Sequence, residues 1–164
     1  MIKTIEYVDG VVRMIDQTLL PTEKVFVDCK TIEDVGHAIK TMIIRGAPAI
    51  GVAAAMGVSL GADTITASNF DEFYGAMKKQ CDQLGKSRPT AVNLAWAINR
   101  MKQVAKDSKN LPVSELKSRL KKEALTILTE DISINKAMGQ HGQKLVENSN
   151  VVLTHCNAGA LATA

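Results

Sequence analysis

The sequence lacks the features that mark several classes of protein. Its three cysteines, Cys29, Cys81 and Cys156, are an odd number without CxxC spacing, which argues against both a disulfide framework and a zinc site. Lysines are scattered and aromatic residues make up only 4% of the chain, so no basic stripe with interleaved aromatics indicates nucleic-acid binding. We therefore expect free thiols, no metal or cofactor, and no nucleic-acid partner.

Long apolar runs and a targeting segment are also missing. No apolar run reaches the roughly 18 residues that a membrane-spanning helix needs. The N-terminus carries Glu6 and Asp9 where a signal peptide would have its apolar core. What is present, 46% hydrophobic and 23% charged residues over 164 positions, is ordinary for a globular domain with a core. We expect a cytoplasmic protein without a membrane partner.

The first thirty residues predict a small β-meander. Residues 2–8 have strand composition, Asp9 and Gly10 are typical of a two-residue hairpin turn, and residues 11–15 supply the return strand. A third strand is predicted at residues 25–27. Because nothing here has catalytic spacing, we interpret the region as scaffold.

From Thr31 onwards the hydrophobic period changes from two to 3.6, which predicts helices. The first predicted helix has an apolar face of Ile32, Val35, Ile39, Met42 and Ile43. Thr31 and Asp34, three residues apart, have the spacing of a capping box at its start. Residues 49–62 are almost wholly Ala, Gly, Val, Ile and Met, which indicates a second helix buried on all sides. Further helices are predicted after Asn69, after Pro89 and from Val113 to Asn148, and residues 148–150 are the best candidate for a linker.

Two loops place an arginine just before a predicted helix. Arg45 precedes Gly-Ala-Pro, with Pro48 as the expected helix start, and Arg88 precedes Pro89 in the same way. A guanidinium beside the free amides of a helix start suits an anion. The alternatives are that Arg45 is a capping or salt-bridging residue, and that the two arginines have separate surface roles.

The last fourteen residues, VVLTHCNAGALATA, combine a short apolar run with a thiol. Residues 151–153 predict a buried strand, and the small residues after Asn157 are suited to opening a helix. Cys156 would then lie at the carboxyl end of a strand, where open α/β sheets bind ligands and where helix amides lower the pKa of a cysteine. The alternative is a packing thiol.

Four stretches together resemble the methylthioribose-1-phosphate isomerase family: DGVVRMIDQTLLP, IIRGAPAIGVAAA, SRPTAVNLAWA and VVLTHCNAGALATA. They run in order from near residue 5 to the end of the chain. The wider superfamily includes the regulatory subunits of the initiation factor 2B exchange factor and ribose-1,5-bisphosphate isomerase. Those relatives look less similar, because Arg-Gly-Ala-Pro-Ala and His-Cys-Asn-Ala-Gly fit the methylthioribose enzymes better.

The resemblance implies both a fold and an activity. The fold is an α+β N-terminal domain over residues 1–148, made of a small antiparallel β-sheet plus a helical bundle. Residues 149–164 would be the first strand of a truncated Rossmann-like α/β domain. The activity is an aldose–ketose isomerisation in methionine salvage, on a sugar whose C1 oxygen carries phosphate, by a cytoplasmic enzyme that is a homodimer when complete.

The resemblance also implies roles for five residues. Arg45, Gly46 and Ala47 would contact the substrate, Arg88 would join Arg45 at the phosphate, and Cys156 would act on the proton at C2. The family's acid aspartate lies in a second half that is absent here, so we expect these 164 residues alone to be inactive. The competing hypothesis is a non-catalytic binding subunit of the initiation factor 2B type.

Overall fold

The structure is a computed structural model that describes residues 3–146 and 151–164. Within these ranges the chain forms a three-stranded antiparallel sheet followed by five helices, which confirms the predicted sheet and helical bundle. The elements are β1 (Ile5–Val8), β2 (Val11–Ile15), β3 (Phe26–Cys29), α1 (Ile32–Lys40), α2 (Ala47–Thr64), α3 (Phe70–Gly85), α4 (Val92–Asp107) and α5 (Val113–Val146). The predicted linker at residues 148–150 lies outside the described residues.

The sheet is ordered β1-β2-β3, with both neighbouring pairs antiparallel. Its first turn has Asp9 at φ 50° and Gly10 at φ 81°. Positive φ at both central residues defines the type I′ turn, whose twist matches that of the flanking strands. The predicted hairpin at this turn is therefore confirmed, and the sheet packs Val12, Met14 and Cys29 into the core.

Helix α1 is shorter than the hydrophobic period predicts. Thr31 and Asp34 form a reciprocal capping box at its start, as the sequence indicates. The Thr41 N–H still donates to the His37 carbonyl at 2.9 Å, and the helix does not continue because Met42 turns left-handed at φ 65°. The placement of Met42 and Ile43 on the helical face is therefore wrong.

Helix α2 is the centre of the domain. It contacts all four other helices and the first two strands, and nearly every residue from Ala49 to Ala62 is buried, as predicted for an apolar helix without charge. Its 18 residues have a mean hydropathy of 1.2, so length and composition alone would allow it to cross a membrane, yet 78% of them are buried inside the fold. The helix thus forms the core of this domain.

The loop before α4 departs from the predicted pattern. The helix begins at Val92, three residues after Pro89, so this proline does not start it. Pro89 instead lies in a turn that the Ala91 N–H closes on the Arg88 carbonyl at 3.0 Å, where the fixed φ of proline is favourable. This turn, rather than the helix itself, sets the position of Arg88.

Helices α4 and α5 are joined by Arg100. Its guanidinium donates to Glu123 at 2.6 Å and to both carboxylate oxygens of Glu130 at 2.6 and 3.1 Å. It also lies over the ring of Trp96, 5.5 Å from the centroid. A planar guanidinium makes such two-carboxylate contacts with defined geometry, so Arg100 fixes the two helices relative to each other.

The segment after α5 contradicts the predicted strand. Residues 151–155 have no regular secondary structure, and Leu153 is 95% exposed. A strand requires backbone pairing with a neighbour, and the only sheet in the described part of the chain does not reach this segment. The small residues that follow form a turn, in which the Ala162 N–H donates to the Gly159 carbonyl at 2.9 Å, rather than the predicted helix start.

The close packing of α2 yields a stability prediction. A Cβ at Gly57 would lie 2.9 Å from Cγ1 of Val35, a buried and β-branched side chain with little freedom to move. We expect Gly57→Ala to lower the free energy of unfolding, because overpacking costs about 1–3 kcal/mol. Chemical denaturation measures this change.

Gly75 in α3 provides the matched control, since a Cβ there meets nothing within 4 Å. We expect Gly75→Ala to raise the free energy of unfolding by about 0.5–1 kcal/mol, the usual gain from replacing a mid-helix glycine. If Gly57→Ala were as stabilising as Gly75→Ala, the tight contact between α1 and α2 would be wrong.

Candidate active site

A cleft of about 620 Å³ opens at the N-terminus of α2. It is lined by all five residues that the resemblance singled out, which are Arg45, Gly46, Ala47, Arg88 and Cys156. Three distant segments contribute them: the α1–α2 loop, the α3–α4 loop and the segment after α5. The fold therefore brings the two arginine loops and the thiol together around one cavity.

The N-terminus of α2 carries an uncompensated positive end into this cleft. The helix has Gly46 as its N-cap, Pro48 in its first turn as predicted, no side-chain cap and no acidic residue in the first turn. Unpaired N–H groups and the helix dipole together favour an anion at such a position. Gly46 has φ 99°, a conformation that glycine adopts without the strain of a side chain.

Neither Arg45 nor Arg88 has a carboxylate partner within residues 3–146 and 151–164. Arg45 is exposed and Arg88 is half-buried, whereas Arg100 is already engaged by two glutamates. The alternative that Arg45 is a salt-bridging residue therefore finds no partner in these ranges. Two free guanidinium groups on one cleft can bind a dianion with several charge-assisted hydrogen bonds.

Cys156 differs from the other two cysteines. It is exposed and has φ 60°, an uncommon backbone conformation for a residue with a side chain. Cys29 and Cys81 are buried, and burial raises the pKa of each thiol to about 11. Cys29 and Cys81 are thus core thiols, and Cys156 is the accessible one.

The segment that follows Cys156 packs against the start of α2. The Ala162 carbonyl accepts the Ala49 N–H at 3.1 Å, so one of the first-turn amides is occupied by the chain itself. Ala47 N–H, in contrast, has no acceptor in the described part of the chain and borders the cleft. In the described ranges the N-terminus of α2 thus keeps one free donor, the Ala47 N–H, whereas the sequence predicts several free amides there.

Further residues line the cleft that sequence reasoning did not single out. They are Met42, Ile50, Thr90, Asn93 and Asn157. The side-chain nitrogen of Asn157 is buried and has no acceptor in the described ranges. Its position directly after the thiol was the one available signal, whereas Thr90 and Asn93 reach the cleft only through the fold.

An apolar extension adjoins this cleft. A second cavity of about 440 Å³ shares Pro48, Val92 and Asn93 with the first. Its other lining residues are Val52, Trp96, Ile127 and Ile134, together with the charged residues Arg100, Glu130 and Asp131. The arginine cleft is therefore continuous with an apolar surface.

Within the described residues no group of three His, Cys, Asp or Glu side chains lies close enough to hold a metal ion. His37 on α1 and His141 on α5 are both exposed, and neither lines the cleft. The polar chemistry at the cleft thus comes from two guanidinium groups, backbone amides, two amide side chains, one hydroxyl and one thiol.

The chain is similar to curated proteins named methylthioribose-1-phosphate isomerase. It is 54% identical over 162 residues to the one from Syntrophotalea carbinolica and 52% identical to the one from Geobacter sulfurreducens. Each alignment covers 99% of this chain and 47% of the relative, so the chain spans about half the length of these relatives.

Solved structures show the same fold. A 5-methylthioribose 1-phosphate isomerase from Pyrococcus horikoshii superposes with a TM-score of 0.91 at 42% identity, over 99% of this chain and 46% of that one. The delta subunit of translation initiation factor eIF-2B from A. fulgidus gives a TM-score of 0.86 at 39% identity, over 99% and 47%.

A family model covers most of the chain. The model of the initiation factor 2 subunit family matches residues 43–164, a range that contains all five predicted site residues. Because this match spans more than half of the sequence, the chain belongs to the initiation factor 2 subunit family.

Proposed function

We propose that the chain is the N-terminal part of an aldose–ketose isomerase that converts 5-methylthioribose 1-phosphate to 5-methylthioribulose 1-phosphate in methionine salvage. The observation that carries this proposal is the cleft in which Arg45, Arg88 and Cys156 meet at the start of α2. The similarity to isomerases, at 54% identity, supports it.

The phosphate end of the substrate fits the cationic part of the cleft. A phosphate dianion has three acceptor oxygens, and Arg45 and Arg88 offer forked donors that no carboxylate engages in the described ranges. Ala47 N–H and the dipole of α2 add positive potential at the same place. Gly46 lines the same part of the cleft.

The other end of the substrate fits the apolar extension. A methylthio group is uncharged and polarisable, and such sulfur groups pack well against aromatic rings. Trp96, Val92 and Pro48 supply apolar walls next to the arginines. A sugar phosphate lying with its phosphate at Arg45 would thus point its thioether along this surface.

Cys156 would act on the proton at C2 of the sugar. Removing that proton forms a C1=C2 double bond as the bond from C1 to the ring oxygen breaks, and the ring oxygen takes a proton. Loss of the C2 hydroxyl proton and gain of a proton at C1 then give the ketone, so the phosphate stays on C1 and no atom is gained or lost. A base held beside the reacting carbon in a water-poor site is what this step requires.

Part of this machinery lies outside the chain. The acid that protonates the ring oxygen would come from a second half corresponding to the remainder of the relatives. In that full-length protein residues 149–164 would open a Rossmann-like domain, and Val151, Val152 and Leu153 would gain sheet partners. We further propose a cytoplasmic homodimer. No specific observation favours a non-catalytic binding subunit, and the accessible thiol on the cleft argues for the enzyme.

Phosphate binding tests the cationic half of the site. We expect Arg45→Gln and Arg88→Gln each to weaken binding of methylthioribose 1-phosphate to this chain about tenfold or more, because a charge-assisted hydrogen bond contributes roughly 1.5–3 kcal/mol. Titration calorimetry measures the dissociation constants. Arg119→Gln is the matched control, since Arg119 is exposed on α5 outside the cleft, and it should leave the affinity unchanged.

A uniform loss of affinity across all three arginine variants would show that binding is non-specific charge attraction. That result would exclude a specific phosphate site at Arg45 and Arg88.

Turnover tests the role of the thiol. We expect residues 1–164 alone to be inactive, and a chimera with the second half of the Syntrophotalea carbinolica relative to isomerise the substrate. In that chimera Cys156→Ser should lower kcat by several orders of magnitude while binding changes little, because the weakly acidic hydroxyl cannot serve as the base. Cys81→Ser, in the core, is the control for the substitution itself. Normal turnover by the Cys156→Ser chimera would exclude the thiol as the base.

A further inference from the structure

The segment after Cys156 is held by hydrogen bonds from four separate parts of the fold. They are Thr4 Oγ1 to the Ala160 carbonyl at 2.6 Å, Gln17 Nε2 to the Leu161 carbonyl at 2.8 Å, Ala49 N–H to the Ala162 carbonyl at 3.1 Å, and Ala164 N–H to Asp131 Oδ2 at 2.8 Å. Residues 160, 161, 162 and 164 are therefore bonded to the residue before β1, the loop after β2, α2 and α5, respectively.

Thr4 and Gln17 are buried polar residues, 1% and 3% exposed. A buried hydroxyl or amide destabilises the fold unless it is hydrogen-bonded, and the side-chain bonds of these two residues in the described ranges go to this segment. The Leu161 carbonyl can only accept, so it fixes the orientation of the Gln17 amide and leaves Gln17 Oε1 without a partner there. Both buried side chains therefore satisfy a donor by bonding to this segment.

Gly46 also permits this docking, because Ala162 packs where a side chain at position 46 would lie. A Cβ at this position would lie 2.6 Å from the Ala162 carbonyl oxygen and 2.8 Å from its Cβ, which is closer than atoms can approach. Gly46 also follows Arg45 directly. The docked segment and the arginine loop are therefore in contact.

We propose that Thr4 and Gln17 are positioning residues that hold Cys156 against the arginine cleft. Cys156 precedes Ala160 by four residues, a distance of at most about 14 Å of chain. In the described ranges residues 151–155 make no hydrogen bond to the rest of the fold, so the thiol is tethered from its C-terminal side. The docking stands by itself, and only the role of the thiol rests on the proposed function.

Hydrogen exchange of this 164-residue chain tests the docking. We expect Thr4→Val to raise the exchange of the Ala162 and Ala164 amides about tenfold, because the segment loses the hydrogen bond at the Ala160 carbonyl that helps to dock it. Thr4→Ser, which keeps the hydroxyl, should restore slow exchange. Thr64→Val is the matched control, since the Thr64 hydroxyl bonds only the Gly61 carbonyl within its own helix.

A second pair of variants covers the case in which Thr4→Val fails to fold. Asp131 lies on α5 and is half-buried, so its substitution leaves the sheet intact. We expect Asp131→Ala to raise the exchange of the Ala164 amide about tenfold, and Asp131→Asn, which keeps an acceptor oxygen, to leave it slow. Unchanged exchange in the folded Thr4→Val or Asp131→Ala variants would overturn the proposal.

Alkylation links the docking to the cleft. Cys156 is the accessible thiol, and inorganic phosphate at the arginines should slow its reaction with iodoacetate. In Thr4→Val we expect phosphate to bind as before but to protect Cys156 several-fold less. Equal protection in the variant would refute the positioning role. Absence of phosphate binding in the unmodified chain would refute the proposed function, while hydrogen exchange would still test the docking.

Discussion

Burial of helix α2 is the constraint on which the rest of the domain depends. Its residues are apolar on every side, so strands and helices must surround it, and every other helix contacts it. A helix enclosed along its length is accessible only at its ends. The start of α2 lies at Arg45 and Gly46, where the chain has just left α1 through a left-handed Met42. The core thereby directs the positive end of its central helix into an open cleft.

Three segments complete that cleft, and a specific contact fixes each of them. Gly46 allows the contact with Ala162, the hydrogen-bonded turn after Arg88 sets the second guanidinium, and the docked segment carries Cys156. Arg100 stiffens the apolar side by joining α4 to α5 beside Trp96. The proposed sugar-phosphate substrate rests on this arrangement of two arginines without carboxylate partners in the described ranges, one accessible thiol and an apolar wall.

Local patterns predicted most elements of the fold because their causes are local. The capping box of Thr31 and the Asp9–Gly10 turn each act within a few residues, and the buried run of residues 49–62 carries no charge. Met42 was misplaced because the hydrophobic period continues past the point where the helix closes. Residues 151–153 form no strand in this chain because a strand depends on partners elsewhere. Thr4 gave no signal at all, since its contact lies 156 residues away in sequence.

The convergence of these segments on one ligand is the central claim, and amide chemical shifts measure it most directly. When methylthioribose 1-phosphate is titrated into the isotopically labelled chain, we predict that the amide resonances of Gly46, Ala47 and Asn157 change together with one dissociation constant. The amides of Gly36 and His37, which line a separate cavity of about 360 Å³ with Lys40 and Lys86, should stay unchanged. Chemical-shift changes confined to that cavity, or no change near Gly46, would contradict the convergence of these segments on one ligand.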